Sequence, residues 1–198
     1  VFDYGAQNFT ARDRRFVRLV EQWQADGVVV PWGSGYPTMT DAFLDTGETR
    51  YRGVPSIRSI AEHLASSLQV HSQTRVERLT RERATWTVQS SDGTTHSASA
   101  VILTPPVPQS LGILDASGFD LPAAQRQRLD AVSYSPAIAV LLQLDAPSGI
   151  RLPGGMWGDG MPVTWIGDNT LKGVSPEAHA VTVLTSAEFA VTNLENGD

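Results

Sequence analysis

The spacing of apolar positions changes along the chain, and the changes outline its organisation. After Asp13, the residues Phe16, Val17, Leu19, Val20 and Trp23 recur at three- and four-residue intervals. That period predicts an amphipathic helix, capped by the Asp13 carboxylate and ended by Gly27. Val28, Val29 and Val30 read as a short strand, and Trp32 to Gly53 is a polar, Gly- and Thr-rich segment without strong periodicity, either a loop over a site or a weak hairpin. A second helix is expected after Pro55, with Ser56 as its cap and Ile57, Ile60, Ala61, Leu64 and Leu68 as one apolar stripe facing a core.

From Val70 the period becomes two. Val70, Arg75 to Leu79, Thr85 to Val88, a turn at Asp92-Gly93, a strand near Thr95 and the apolar run Ala100 to Thr104 predict an antiparallel meander whose last strand enters a buried sheet. Pro105, Pro106 and Pro108 end it. A short helical piece over Gln109 to Leu114 and a helix from Pro122 through Leu129 follow, Pro being favoured in the first helical turn. Ala137 to Asp145 reads as a buried strand and Pro147 to Pro162 as a hairpin loop. Val163 to Ile166 and Ala180 to Leu184 read as further strands, and Glu188 to Glu195 begins a helix. Strands separated variously by hairpins and helices indicate α+β rather than a regular alternation of parallel strands and helices.

Composition narrows the function classes. At 198 residues the chain can bury a substantial core as one domain or two. Fifteen Lys and Arg against 21 acids leave a net charge of −6, and the densest basic group, Arg12, Arg14, Arg15 and Arg18, is interleaved by Asp13 and Glu21. A nucleic-acid surface is therefore not expected, and that group reads as a solvated helix face. No cysteine is present, which removes thiolate nucleophiles, disulfides and cysteine metal sites and fits a cytoplasmic protein. The longest apolar run, Ala137 to Leu142, is far short of the roughly 20 residues that cross a bilayer, so no membrane partner is expected.

The candidate chemistry starts at Phe2 to Asp13. Gly5 removes a side chain where something flat or backbone-like can come close, with Asp3, Gln7 and Asn8 around it as polar groups. This stretch is either one wall of a ligand site or a strand end turning into a helix. Elsewhere the signals are weaker. His63, His71, His96 and His179 lack metal-ligand spacing, and Asp41 and Asp45 sit in an irregular segment. No Gly-x-Ser-x-Gly elbow names a nucleophile. Gly33-Ser34-Gly35 resembles the start of a dinucleotide loop, but Thr38 replaces its third glycine and Pro37 blocks the passage into a helix.

Four collinear segments carry a family resemblance: Phe2 to Asp13, Arg52 to Ser56, Ala100 to Gln109, and Trp165 to Asn169. Together they resemble the bacterial renalase-like branch of the FAD-dependent amine oxidase superfamily. The resemblance implies an internal segment, without the Gly-x-Gly-x-x-Gly turn that holds the FAD pyrophosphate and without the closing FAD segment. It also implies a mixed or antiparallel substrate-domain sheet with helices, a β-meander, and part of the FAD-domain sheet. Residues 1–69 and 109–198 would be two parts of the substrate domain, and 70–108 the meander portion of the FAD domain.

By the same resemblance, Gly5, Ala6 and Gln7 would lie beside the flavin, Val76 would offer backbone groups to the adenine, and Thr104 and Pro105 would sit beside the cofactor. Trp165 and Asn169 would line the substrate face, although a Trp on a strand is also an ordinary core residue. The implied activity is oxidation of a dihydronicotinamide isomer or an amine, with electrons passing through FAD to oxygen. No metal and no catalytic side chain is implied. The competing reading is a non-catalytic binding or interaction module that does not hold FAD on its own.

Overall fold

The computed structural model describes residues 1–160 and 162–194. It divides into two compact units, one formed by Val1–Leu68 with 135–194 and the other by Gln69–Tyr134. Among the described residues every sheet is antiparallel and five helices accompany them, an α+β arrangement.

The first unit begins with the two-residue strand β1 (Phe9–Thr10) and helix α1 (Arg14–Ala25). The Asp13 side chain accepts from the Arg15 backbone N–H, the expected N-cap. Gly27, at φ +73°, closes the other end: its N–H donates to the Gln24 carbonyl and that of Val28 to Trp23, a Schellman arrangement that glycine fits without strain. The segment left open by its lack of periodicity is a long hairpin, β2 (Val29–Pro37) and β3 (Phe43–Gly53), with β1 on the outer side of β3. Register shifts around Gly33 break its alternation, which is why no period was visible. Val20, Trp23 and Val29 form a core between α1 and this sheet, with Phe9, Phe16, Tyr51 and Ile60 packed against it.

Helix α2 (Arg58–Ala65) starts later than expected and has no side-chain cap; Ile57, not Ser56, occupies the cap position. None of its residues is fully buried, and Leu64 is exposed, so the expected core face reduces to Ile60. The rest of the unit is a four-stranded sheet in the order β7-β10-β9-β8, comprising β7 (Ala139–Gln143), β8 (Gly155–Trp157), β9 (Val163–Asp168) and β10 (Ala180–Thr185), followed by α5 (Ala187–Asn193). Glu195, and Met161 of the expected hairpin loop, lie outside the described residues. β7 is an edge strand exposed along its length, not the buried strand that its apolar run suggested.

The second unit is the meander β4 (Val76–Glu82), β5 (Thr85–Ser90) and β6 (Thr95–Ala98), with α3 (Val107–Ala116) packed on β4 and α4 (Ala123–Asp130) beside α3. The Asp92-Gly93 turn forms as read, Asp92 accepting from the Thr94 N–H. Leu79 and Leu111 are its buried apolar residues. Two expectations fail here. Val70 lies in no strand, and Val101 to Thr104 takes no strand pairing, with Ile102 87% exposed. An apolar run becomes a strand only where a neighbour supplies ladder hydrogen bonds, and the meander ends at β6.

Candidate functional site

In the first unit, the opening stretch is anchored from within. Asp3 and Gln7 are buried while Tyr4, Gly5 and Ala6 between them are exposed. The Asp3 carboxylate, 3% exposed, meets the ammonium of Lys172, 0% exposed, at 2.7 Å and also accepts from the Ile57 N–H at 3.2 Å. Lys172 lies in the turn after β9, from which its side chain reaches Asp3. Its three protons have three partners: the Asp3 carboxylate, Gln7 Oε1 at 3.4 Å, and the face of Trp32, 4.7 Å from the ring centroid.

The Asp3 main chain is held too. Its N–H donates to Asn169 Oδ1 at 3.0 Å, and its carbonyl accepts from Thr182 Oγ1 at 3.0 Å and from Gln7 Nε2 at 2.5 Å. Asn169 Nδ2 donates to Thr182 Oγ1, closing the ring of contacts. Burial pushes the Lys172 pKa down; Asp3 counters this, while the half-buried Arg52 pushes it further down. Arg52 is itself lowered by burial and partly restored by Asp3. Two cations thus act on one carboxylate.

Beside this network lies an aromatic cluster. Trp32, Tyr36 and Trp165 are buried and mutually edge-to-face, with centroids 5.0–5.9 Å apart, and Trp157 packs on Trp165 at 4.8 Å. The Arg50 guanidinium sits over Tyr36 and Trp157, 5.5 Å from each centroid. Tyr36 Oη, Arg50 Nη1 and Trp165 Nε1 are buried without a hydrogen-bond partner among the described residues. Burial raises the Tyr36 pKa to about 12 against the opposing charge of Arg50.

Of the residues singled out by sequence, Gly5 and Ala6 are exposed, while Gln7 turns its side chain inward. A Cβ on Gly5 would meet nothing within 4 Å, and Gly5 has no positive φ, so the chain's own packing does not demand glycine there. Trp165 is core with a free indole N–H, and Asn169 is wholly engaged by Asp3 and Thr182. In the second unit, Val76 and Pro105 line the same open cavity of about 1250 Å³, together with Thr74, Arg75, Gln109 and Gly112. Thr104 is exposed next to Pro105.

Sequence reading missed Lys172 and Thr182, and gave Arg52, at the head of the second family segment, no role. A single lysine in a Thr-Leu-Lys-Gly turn carries no local mark of burial, and its partner stands near the other end of the chain. Among the described residues no three His, Asp or Glu side chains converge as a metal site, and no helix is long and apolar enough to cross a membrane.

Comparison with known proteins places these features. Residues 6–182 match the family described as flavin containing amine oxidoreductase. Among solved structures, a redesigned single mutant of putrescine oxidase superposes with a TM-score of 0.56 at 22% identity, over 75% of this chain and 33% of that one. Wild-type putrescine oxidase bound to putrescine gives 0.52 at 23% identity, over 75% and 32%. A protein from Exiguobacterium sp. 255-15 described as a protoporphyrinogen oxidase gives 0.50 at 17% identity, over 69% and 30%. The chain spans about a third of the length of these structures, and the likeness is one of fold.

Proposed function

The chain belongs to the flavin containing amine oxidoreductase family, and from that premise we propose that it is an internal segment of an FAD-dependent oxidase of the renalase-like branch. The observation that carries the reading is Gly5. It is a glycine with open space where its side chain would be and no positive φ to require it, between two residues anchored in the core. That open space leaves room for a partner outside the chain's own packing, and the flat face of a flavin fits it.

In this proposal the backbone of Gly5, Ala6 and Gln7 forms one flavin-facing wall. In the second unit, Val76 contributes main-chain groups toward the adenine, with Thr104 and Pro105 beside the cofactor; the cavity shared by Val76 and Pro105 is roomy enough for a ring of that size. FAD, when bound, accepts two electrons as hydride from a dihydronicotinamide isomer or an amine and returns them to oxygen. The protein's part is to bind, orient and keep water away, and a hydride transfer needs no side-chain acid or base from this chain. Trp165, with its unpartnered indole N–H, is the better substrate-facing candidate; Asn169 acts through Asp3.

The test is to purify the complete gene product that contains this chain. A yellow protein whose flavin bleaches under anaerobic addition of a dihydronicotinamide isomer supports the proposal, and bleaching by an amine alone moves it to another branch of the family. A colourless protein indifferent to FAD overturns it. The alternative, a binding module without cofactor, is favoured by the lack of a Gly-x-Gly-x-x-Gly turn in this sequence. The 198-residue chain alone is therefore expected to bind FAD weakly or not at all, and micromolar affinity would contradict that.

A further inference from the structure

Tyr4, Gly5 and Ala6 form a short exposed bridge between buried piers, and the hydrogen bonds around it have a direction. An ammonium only donates, so the amide of Gln7 must turn its oxygen toward Lys172 and its NH2 away. That NH2 donates to the carbonyls of Asp3 and Gly5, at 2.5 and 3.2 Å. Both carbonyls are thereby committed inward. The N–H groups of Tyr4, Gly5 and Ala6 have no acceptor among the described residues. Behind the bridge, Lys172 and Arg52 outnumber the single carboxylate of Asp3.

We propose that Lys172, acting through Gln7, is a positioning residue that fixes Tyr4–Ala6 as a backbone donor edge for the electron-rich, acceptor-bearing rim of a flat ligand. This rests on the reading above, in which that ligand is the flavin ring. Lys172 touches no ligand itself. It sets the Gln7 amide, the amide withdraws the carbonyls, and the surplus positive charge behind the bridge favours a ligand that gains negative charge on reduction.

Three variants of the intact protein test it: Lys172→Met, Gln7→Leu, and Gln22→Ala as a control in the same unit, where the exposed Gln22 side chain donates to Asp26 at the end of helix α1. Chymotryptic cleavage after Tyr4, followed by mass spectrometry on flavin-free protein, reads whether the bridge is held. Flavin affinity and midpoint potential read its effect on the ligand. Lys172→Met and Gln7→Leu should cleave faster and bind flavin about tenfold more weakly, the scale of one lost buried hydrogen bond, with far-UV circular dichroism unchanged. The potential should fall in Lys172→Met, which loses a charge, and hold in Gln7→Leu, which does not. Gln22→Ala should match wild type in every readout.

Wild-type cleavage and affinity in Gln7→Leu overturn the proposal. Faster cleavage with unchanged flavin affinity also overturns it, since the bridge would then be held for the fold alone. If Lys172→Met does not fold, Gln7→Leu decides, because it leaves the Asp3–Lys172 pair in place. A wild-type protein that binds no flavin at all, yet shows the cleavage pattern, defeats the proposed function and leaves the strut.

Discussion

The ammonium of Lys172 stands 2.7 Å from the carboxylate of Asp3, and neither is accessible to water. Removing one partner strands a buried charge, so Lys172→Met should destabilise the fold by about 3–5 kcal/mol, whereas the double variant with Asp3→Asn should recover part of that loss. Urea denaturation of the four members of the cycle measures it; additive losses would mean the two groups are not coupled. The lysine also has a pH signature. Its folded pKa lies below the ordinary value of 10.5, so its stabilising contribution is fully present above 10.5 and is lost as pH falls through the depressed folded value. Lys172→Met should flatten that rise.

Tyr36 works in the opposite sense. Its folded pKa is raised from 10.0 to about 12, so its contribution is complete below pH 10.0 and drains away as pH climbs through 12. Because the Tyr36 hydroxyl is buried without a partner among the described residues, Tyr36→Phe should be neutral or stabilising by about 1 kcal/mol at pH 7. The same variant should remove the alkaline loss between pH 10 and 12. A clear destabilisation at pH 7 would show that the hydroxyl has an acceptor.

Gly155 lies where a Cβ would come within 2.6 Å of both Trp165 Cη2 and Tyr36 Cδ1. Neither ring can move without disturbing the edge-to-face cluster, so Gly155→Ala should cost about 1–3 kcal/mol, visible as a lower thermal midpoint and altered near-ultraviolet tryptophan dichroism. A wild-type midpoint would show that the cluster yields.

Gly5→Val makes the complementary test. With nothing within 4 Å of its Cβ position, the substitution should leave the stability of this chain within about 0.5 kcal/mol. In the complete protein it should lower flavin content, because a branched side chain would enter the space assigned to the ring. Unchanged flavin content would remove Gly5 from the proposed wall.

How much of this was legible in the sequence depended on whether the cause was local. The Asp13 cap, the Gly27 stop and the Asp92-Gly93 turn are decided by residues within a few positions of each other, and all three form as read. The runs at Ala137 to Asp145 and Val101 to Thr104 misled because apolar character reports a tendency to be covered, yet Leu141 stays 44% and Ile102 87% exposed. Gly5 stood out because its neighbours are polar. Lys172 did not, because its burial depends on Asp3, Gln7 and Trp32, which come together only in the folded unit.

The discontinuity of the first unit bears on how the chain folds as it is made. Residues 69–134 are a self-contained stretch, complete before the ribosome reaches β7. Asp3 is made before the meander, yet Thr182, which donates to its carbonyl, follows 179 positions later. Until Lys172 is made, the stretch around Asp3 has its acid but neither the lysine nor the hydroxyl that will hold it. Translation order therefore favours an early meander and a late closure of the Asp3 network, and a ribosome stalled before residue 172 would carry an unclosed bridge.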